Sequence, residues 1–400
     1  MTDQKTITEN TNKKSVISLL LLMVLLGVFP IDVLLPSVPA MALHFNRPSA
    51  DIALSISLFA IGISFSQLLI GPLSDRTGRK NLLLLGMIAS MIGAMGCALS
   101  SDYKIFILFR IIQALGCGCF VLSQALVQDL FEGKERDSLR IMIVTASGVF
   151  ISISPLAGSI LQELLDWRGS FYLFFVVAAV VFIKTCSTLK DDSTKKNTQY
   201  SILRSYSHIC RDKLFFGYWL IAAIAFSCHF SFIVVSPLIF MEQLQLSQYQ
   251  FSAILLLYGV AYAVGGTLAR VVSNRTTIST QIAIGFCMVS TAGLLLIYIP
   301  SRFSTSPLDI LLPMVICTVG ITTTRPAATS KAMERFPNHS GTSASVGNTL
   351  IFICGGLISM LINFSATDLL STLGWTFLLL SIVGLGLNAL VQRPAQAIME

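Results

Sequence analysis

Twelve stretches of about twenty mainly apolar residues follow one another along this chain, parted by short polar breaks. They run at about 16–39, 51–72, 81–100, 104–127, 138–162, 169–187, 214–240, 248–270, 279–300, 308–329, 341–363 and 372–391. Coiled as α-helix, each is long enough to cross the hydrocarbon core of a bilayer. Water is a poor solvent for such a chain. Of its 400 residues 54% are hydrophobic and only 12% charged, where a soluble domain carries about 25%. In lipid the backbone polar groups of a span must be satisfied within it, which makes each span a helix. The expectation is an all-α membrane protein with no room for a soluble domain. The apolar stretch after Lys13 and Lys14 exceeds the roughly 7–15 residues of a signal-peptide core, so a retained first helix is expected.

The longest polar break, Ser187 to Lys213, leaves six spans on either side. The expected organisation is an N-terminal six-helix bundle over 1–186, a cytoplasmic central loop over 187–213 and a C-terminal six-helix bundle over 214–400. This hydropathy symmetry is that of a transporter built from two six-helix halves. The basic residues set the orientation. With the N-terminus inside, inner segments hold 21 of the 27 Lys and Arg and outer segments four; Arg110 and Arg325 lie within spans. Positive-inside bias then puts both termini in the cytoplasm of a bacterial-type inner membrane. The net charge of +7 thus reads as topology. A nucleic-acid surface would gather its Lys and Arg on one soluble face, and no nucleic-acid partner is expected. The nine cysteines fall mostly in apolar runs, as Cys97, Cys287, Cys317 and Cys354 do. With no C-x-x-C pair and no zinc spacing, they read as small packing residues, not as a disulfide framework or metal site.

A few polar residues break the hydrophobic rule. Asp32, in Pro30-Ile31-Asp32-Val33-Leu34-Leu35-Pro36, is the only carboxylate well inside a span. An acid there is costly unless paired, protonated or hydrated, and it commonly marks function. The other reading is an acid at the outer end of a shorter helix, which Pro36 and Pro39 would allow. Arg110 sits about 9 Å into span four and Asp32 about 13 Å into span one, at 1.5 Å per residue from their outer ends. Both could therefore line one cavity, with Gln113 on the Arg110 face. The competing reading is an Arg that snorkels outward. Asp32 is expected to bind and release protons in a water-filled cavity, with Arg110 and Gln113 setting its proton affinity. Positive charge favours its anion and burial its acid. His229 in span seven either lines the cavity and titrates or packs with a hydrogen bond. Arg325, before Pro326, is expected to snorkel to the cytoplasmic interface. Phe29, Tyr258 and Tyr262 could form an apolar, polarisable wall, although aromatic residues in spans more often simply pack.

Spans two and three are joined by Gly71-Pro72-Leu73-Ser74-Asp75-Arg76-Thr77-Gly78-Arg79-Lys80. The glycines allow close packing and a tight turn. Asp75 could pair with an Arg or accept hydrogen bonds from a helix N-terminus. Here the chain resembles the major facilitator superfamily, whose signature G-x-L-x-D-R-x-G-R-[RK] lies at this place. Arg110-Ile111-Ile112-Gln113-Ala114-Leu115-Gly116 resembles the span-four R-x-x-Q-[GA]-x-G motif of drug:proton antiporters. Asp32 with Pro36 resembles their span-one D-x-x-x-P pattern. Ser154-Pro155-Leu156-Ala157-Gly158 looks like their span-five G-P-x-x-G motif, with Ser154 in place of the first glycine. Pro155 and Gly158 would let span five bend or pack closely. Val127-Gln128-Asp129-Leu130-Phe131, Trp167-Arg168 and Gly341-Thr342-Ser343-Ala344-Ser345 narrow the resemblance to the bicyclomycin/chloramphenicol-resistance (Bcr/CflA) branch. The second-half counterpart, Gly265-Gly266-Thr267-Leu268-Ala269-Arg270, has Arg270 where the acid would fall.

The resemblance implies the major-facilitator fold of 12 transmembrane helices in two six-helix bundles. It implies that Gly71, Asp75, Arg76, Gly78 and Arg79 latch the cytoplasmic side in the outward-facing state. It further implies a proton-coupled antiporter that exports small amphipathic solutes or drugs by alternating access. The alternative is a dedicated exporter of an endogenous metabolite such as a siderophore or amino acid, and uptake is a third direction. A membrane enzyme would need clustered nucleophile and base groups, yet His44, His208, His229 and His339 are scattered. A sensor would usually carry a soluble signalling domain. The expected partners are a small-molecule substrate and membrane lipid, with protons as coupling ion, no other cofactor, and a monomeric state. For orientation, a green fluorescent protein fused after Glu400 is expected to fluoresce and an alkaline phosphatase at the same point to be inactive. The opposite pattern would reverse the topology.

Overall fold

The structure, a computed structural model, describes residues 2–189, 211–273, 275–302, 306–336, 340–364 and 368–396. Most of the expected central loop, residues 190–210, lies outside the described residues. Twelve helices long and apolar enough to cross a membrane occur among those described. They are Lys13–Phe45, Ser49–Gly71, Arg79–Leu99, Tyr103–Val127, Ala146–Leu165, Gly169–Thr188, Lys213–Gln243, Gln248–Ala269, Ile278–Pro300, Pro307–Glu334, Ser343–Phe364 and Leu369–Gln392, and they are spans one to twelve below. Span one is not one helix. Its first helix ends at Asp32, a short 3₁₀ turn follows over Leu35–Ser37, and a second helix covers Val38–Phe45. Proline explains the break. Pro36 has no N–H to return to the Asp32 carbonyl four residues back, and its ring disfavours helical backbone at Leu35.

Contacts gather the chain into two compact units. One comprises Met1–Leu34 and Phe65–Gln199, the other Leu35–Ser64 and Tyr200–Glu400. In the first unit spans three and four pack closely, because small residues let their backbones approach. A Cβ added at Gly93 would lie 2.6 Å from the Cα of Gln113, and one at Gly116 2.6 Å from the Gly86 carbonyl. Asp102 starts span four by accepting hydrogen bonds from the amides of Lys104 (2.8 Å) and Ile105 (3.2 Å). At the start of span six, buried Trp167 meets Phe106 and Phe171 edge-on at 6.3 and 6.0 Å. Arg168 donates to the Ala98 carbonyl at 3.0 Å and lies over the Trp167 ring. Trp167-Arg168 therefore fastens span six to the ends of spans three and four.

The second unit is built around span seven, whose central window is buried throughout. Spans nine and ten repeat the small-residue contact of spans three and four. A Cβ at Gly285 would lie 2.5 Å from the Gly320 carbonyl, and one at Gly320 equally close to the carbonyl of Gly285. The first half of span two, up to Ser64, belongs to this unit and is fastened to span eleven. Ser57 and Ser359 share a hydrogen bond of 2.8 Å, and Asn363 donates to the Ala50 carbonyl. At the other end Asp212 caps span seven, accepting from the Phe215 amide at 2.8 Å and from Arg335 at 2.6 Å. Partial burial acts to raise the Asp212 pKa. The Arg335 and Phe215 hydrogen bonds and the Arg335 charge outweigh it and hold the carboxyl below its ordinary range.

A methyl group at Gly93 has no flexible side chain to displace, only the backbone of span four. Gly93→Ala is therefore expected to lower stability by about 1–3 kcal/mol, read as a fall in the midpoint of thermal unfolding in detergent. Gly148→Ala in span five is the control, since a Cβ there meets nothing within 4 Å. It should be neutral or slightly stabilising.

Candidate functional site

The helix break in span one creates the first polar site. Val33 still donates to the Phe29 carbonyl at 3.1 Å, but the next rung, from Leu34 to Pro30, is missing. A buried carbonyl left in this way needs another donor. Arg110 supplies it: Nη2 donates to the Pro30 carbonyl at 2.6 Å and Nη1 to Gln113 Oε1 at 2.7 Å. The guanidinium also lies 5.7 Å from the Phe171 ring. Arg110 and Gln113 are each only 1% exposed, so Arg110 is turned into its bundle and does not snorkel. Spacing does the rest. Residues three apart share a helix face, and Gly93 packs against the backbone of Gln113 and holds that face in place.

Asp32 is buried two residues beyond the carbonyl that Arg110 caps. Arg110 thus reaches span one two residues before Asp32, and no ion pair joins the two among the described residues. The Arg110 guanidinium is held by the Pro30 carbonyl and by Gln113. Phe29, one turn earlier on the same helix, is buried beside them in sequence.

A second polar cluster lies in the other unit. His229 Nδ1 is 2.7 Å from the Tyr258 hydroxyl, and the two rings stack at 5.6 Å. Tyr262 meets His229 edge-on at 4.9 Å. The structure therefore brings His229, Tyr258 and Tyr262 together, one helical turn separating the two tyrosines. It also adds a residue that sequence reasoning placed elsewhere. Arg325 does not reach for the cytoplasmic interface. Its guanidinium lies 5.0 Å from the ring of Phe226, which is one turn from His229 and 6.1 Å from it. The cation finds the face of a buried aromatic ring, a contact between spans seven and ten that local sequence does not encode. The one available signal was that Arg325 is a second arginine within a span.

The loop after span two ends its helix at Thr77, and Gly78 turns with φ 89° before span three begins at Arg79. Only glycine takes that conformation without strain. Arg79 donates to Ser74 Oγ at 2.6 Å, and Ser74 to the Gly71 carbonyl at 2.7 Å. The side chains of Asp75 and Arg76 lie outside the described residues. Pro155 and Gly158 are buried in a helix that runs unbroken over Gly133–Leu165.

Twelve spans with buried polar clusters define a multi-pass α-helical membrane protein of the transporter type. The chain belongs to the Major Facilitator Superfamily, whose family model matches residues 20–359. It is 28% identical over 352 residues to a chloramphenicol resistance protein of Pseudomonas aeruginosa, covering 84% of this chain and 82% of that one. It is 26% identical over 384 residues to a bicyclomycin resistance protein homolog of Haemophilus influenzae, covering 91% and 94%. The crystal structure of a D-xylose-proton symporter matches with a TM-score of 0.72 at 15% identity, over 92% of this chain and 96% of that one. That likeness concerns the fold alone.

Removing the capping guanidinium leaves two buried acceptors, the Pro30 carbonyl and Gln113 Oε1, without their donor. Each costs about 1–3 kcal/mol. Arg110→Ala is expected to lower the unfolding midpoint in detergent markedly. Arg110→Lys should recover only part of the loss, because an ammonium lacks the fork that spans both acceptors. Full recovery by Lys would mean that charge alone matters here.

Proposed function

We propose that this transporter is a proton-coupled antiporter that exports small amphipathic solutes or drugs across the cytoplasmic membrane by alternating access. The observation that carries the reading is Asp32, a buried carboxylate at a broken helix, unpaired with the arginine that caps the neighbouring carbonyl. Intramembrane carboxylates mark ion and proton pathways. A carboxyl group that is dry in one state and hydrated in another binds a proton in the first and releases it in the second. Arg110 and Gln113 hold the backbone around it, so that the group titrates in a fixed place. The relatives named for resistance to chloramphenicol and bicyclomycin support export as the direction.

In this reading each cycle takes up a proton from outside, which displaces the solute, and returns with the proton bound. Protons are the coupling ion and no further cofactor is needed. Gly71, Asp75, Arg76, Gly78 and Arg79 act as the cytoplasmic latch, with Pro155 and Gly158 giving span five room to adjust. His229, Tyr258 and Tyr262 contribute apolar and polarisable surface to solute binding. Both termini are cytoplasmic, by the distribution of positive charge.

The test is uptake of labelled amphipathic solutes into inverted membrane vesicles energised with a proton gradient. Wild type should accumulate solute. Asp32→Asn should lose uphill accumulation while keeping its yield, unfolding midpoint and downhill solute exchange. Uphill accumulation equal in both proteins would remove Asp32 as the coupling site.

A further inference from the structure

Arg325 carries a feature that proton coupling through Asp32 does not use. It lies nine residues before the end of span ten, or about 14 Å along the helix axis. Its side chain is half-buried against the aromatic cluster of span seven. Among the described residues its guanidinium makes no hydrogen bond and no ion pair, and it lies over the face of Phe226. The titratable groups that feel its charge are His229 and Tyr262, neither an acid of the carboxylate kind. The described carboxylates of this unit sit at helix ends or in loops: Asp51, Asp212, Glu242, Asp309, Glu334 and Asp368. A guanidinium within the bilayer is expensive unless something pairs with it, and among the described residues no carboxylate does so.

The side chains around it are aromatic. The imidazole of His229 stacks parallel to Tyr258, with an interplanar angle of 10°, and Tyr262 closes on it edge-first at 73°. His229 Nδ1 and the Tyr258 hydroxyl share a hydrogen bond, and both side chains are buried. Tyr258 is buried, whereas Tyr262 and Arg325 are half-buried. The accessible members of the cluster are therefore an aromatic ring and an unpaired cation. That pair is complementary to a solute with an aromatic ring and an anionic group.

We infer that Phe226, His229, Tyr258, Tyr262 and Arg325 form a binding site for aromatic solutes bearing a carboxylate or comparable anionic group, with Arg325 pairing the anion and the rings holding the aromatic body. The site deepens the export reading, on which it rests for the solute's being cargo. Lipophilic cations are disfavoured there by the guanidinium.

A matched set of probes tests it: 1-naphthoate, its neutral amide 1-naphthamide and the cation 1-naphthylmethylammonium, bound to the purified full chain in lipid nanodiscs at pH 7. Wild type should bind 1-naphthoate more tightly than the amide and the amide more tightly than the cation. Arg325→Gln should weaken 1-naphthoate about ten- to a hundredfold, the loss of a charge-assisted hydrogen bond, and leave 1-naphthamide unchanged. Arg325→Lys should recover part of the anion's affinity. Equal binding of naphthoate by wild type and the Gln variant would overturn the site. So would equal affinity of wild type for all three probes. Loss of the amide together with the anion would make Arg325 a packing residue and overturn it as well. Binding needs no gradient, so it is separable from export. Binding as expected, with no gradient-driven accumulation of 1-naphthoate in inverted vesicles, would sustain the site and defeat the export reading.

Discussion

A carbonyl inside a bilayer has nothing to bond to but the protein itself. Along an unbroken helix each one is served by an amide four residues on. Pro36 ends that service in span one, and the helix stops at Asp32. The Pro30 carbonyl is then taken by Arg110, whose fork also holds Gln113. One break in one helix thus calls for an arginine from another span and fixes the register of span four against span one. It also leaves at the break a carboxylate that, among the described residues, forms no ion pair. The chemistry of the first site follows from that backbone requirement.

Close packing of small residues makes the requirement affordable. Gly93 rests on the backbone of Gln113 and Gly116 on that of Gly86, so spans three and four act as one rigid pair. Gly285 and Gly320 do the same for spans nine and ten. Lipid tails offer no hydrophobic gain for helix association, so van der Waals contact between closely approaching backbones supplies it. The same contact thus occurs in each unit. The two polar clusters sit on spans held by these pairs, Arg110 on span four and Arg325 on span ten.

The two arginines within spans stand in different local patterns and met different fates. Arg110 came with Gln113 three residues later and with glycines opposite, and its burial follows from that pattern. Arg325 precedes Pro326 four residues before the end of the expected apolar stretch 308–329, a place where a snorkelling arginine is expected. Its contact with Phe226 joins residues 99 positions apart. Periodicity reports which face of a helix is apolar; it does not report which distant ring that face will meet. The association of His229 with Tyr258, 29 positions away, was open for the same reason. Its residues were identifiable as candidates, but their pairing was not.

Hydropathy alone determined the class of fold, because a chain with this little charge and this many apolar stretches has only lipid to fold in, and lipid permits only satisfied helices. It also determined where the helices run to within a few residues, and the order of Gly, Asp and Arg in the first loop and of Arg and Gln in span four indicated the family. The sequence further marked Asp32 as exceptional. Tertiary structure decided what these residues touch. It turned Arg110 to a carbonyl in place of the carboxylate and set Arg325 on an aromatic face. It gathered a histidine and two tyrosines from separate spans into one cluster. Those outcomes depend on distances across the bundle, and such distances are fixed by helix–helix packing, not by any local property of the chain.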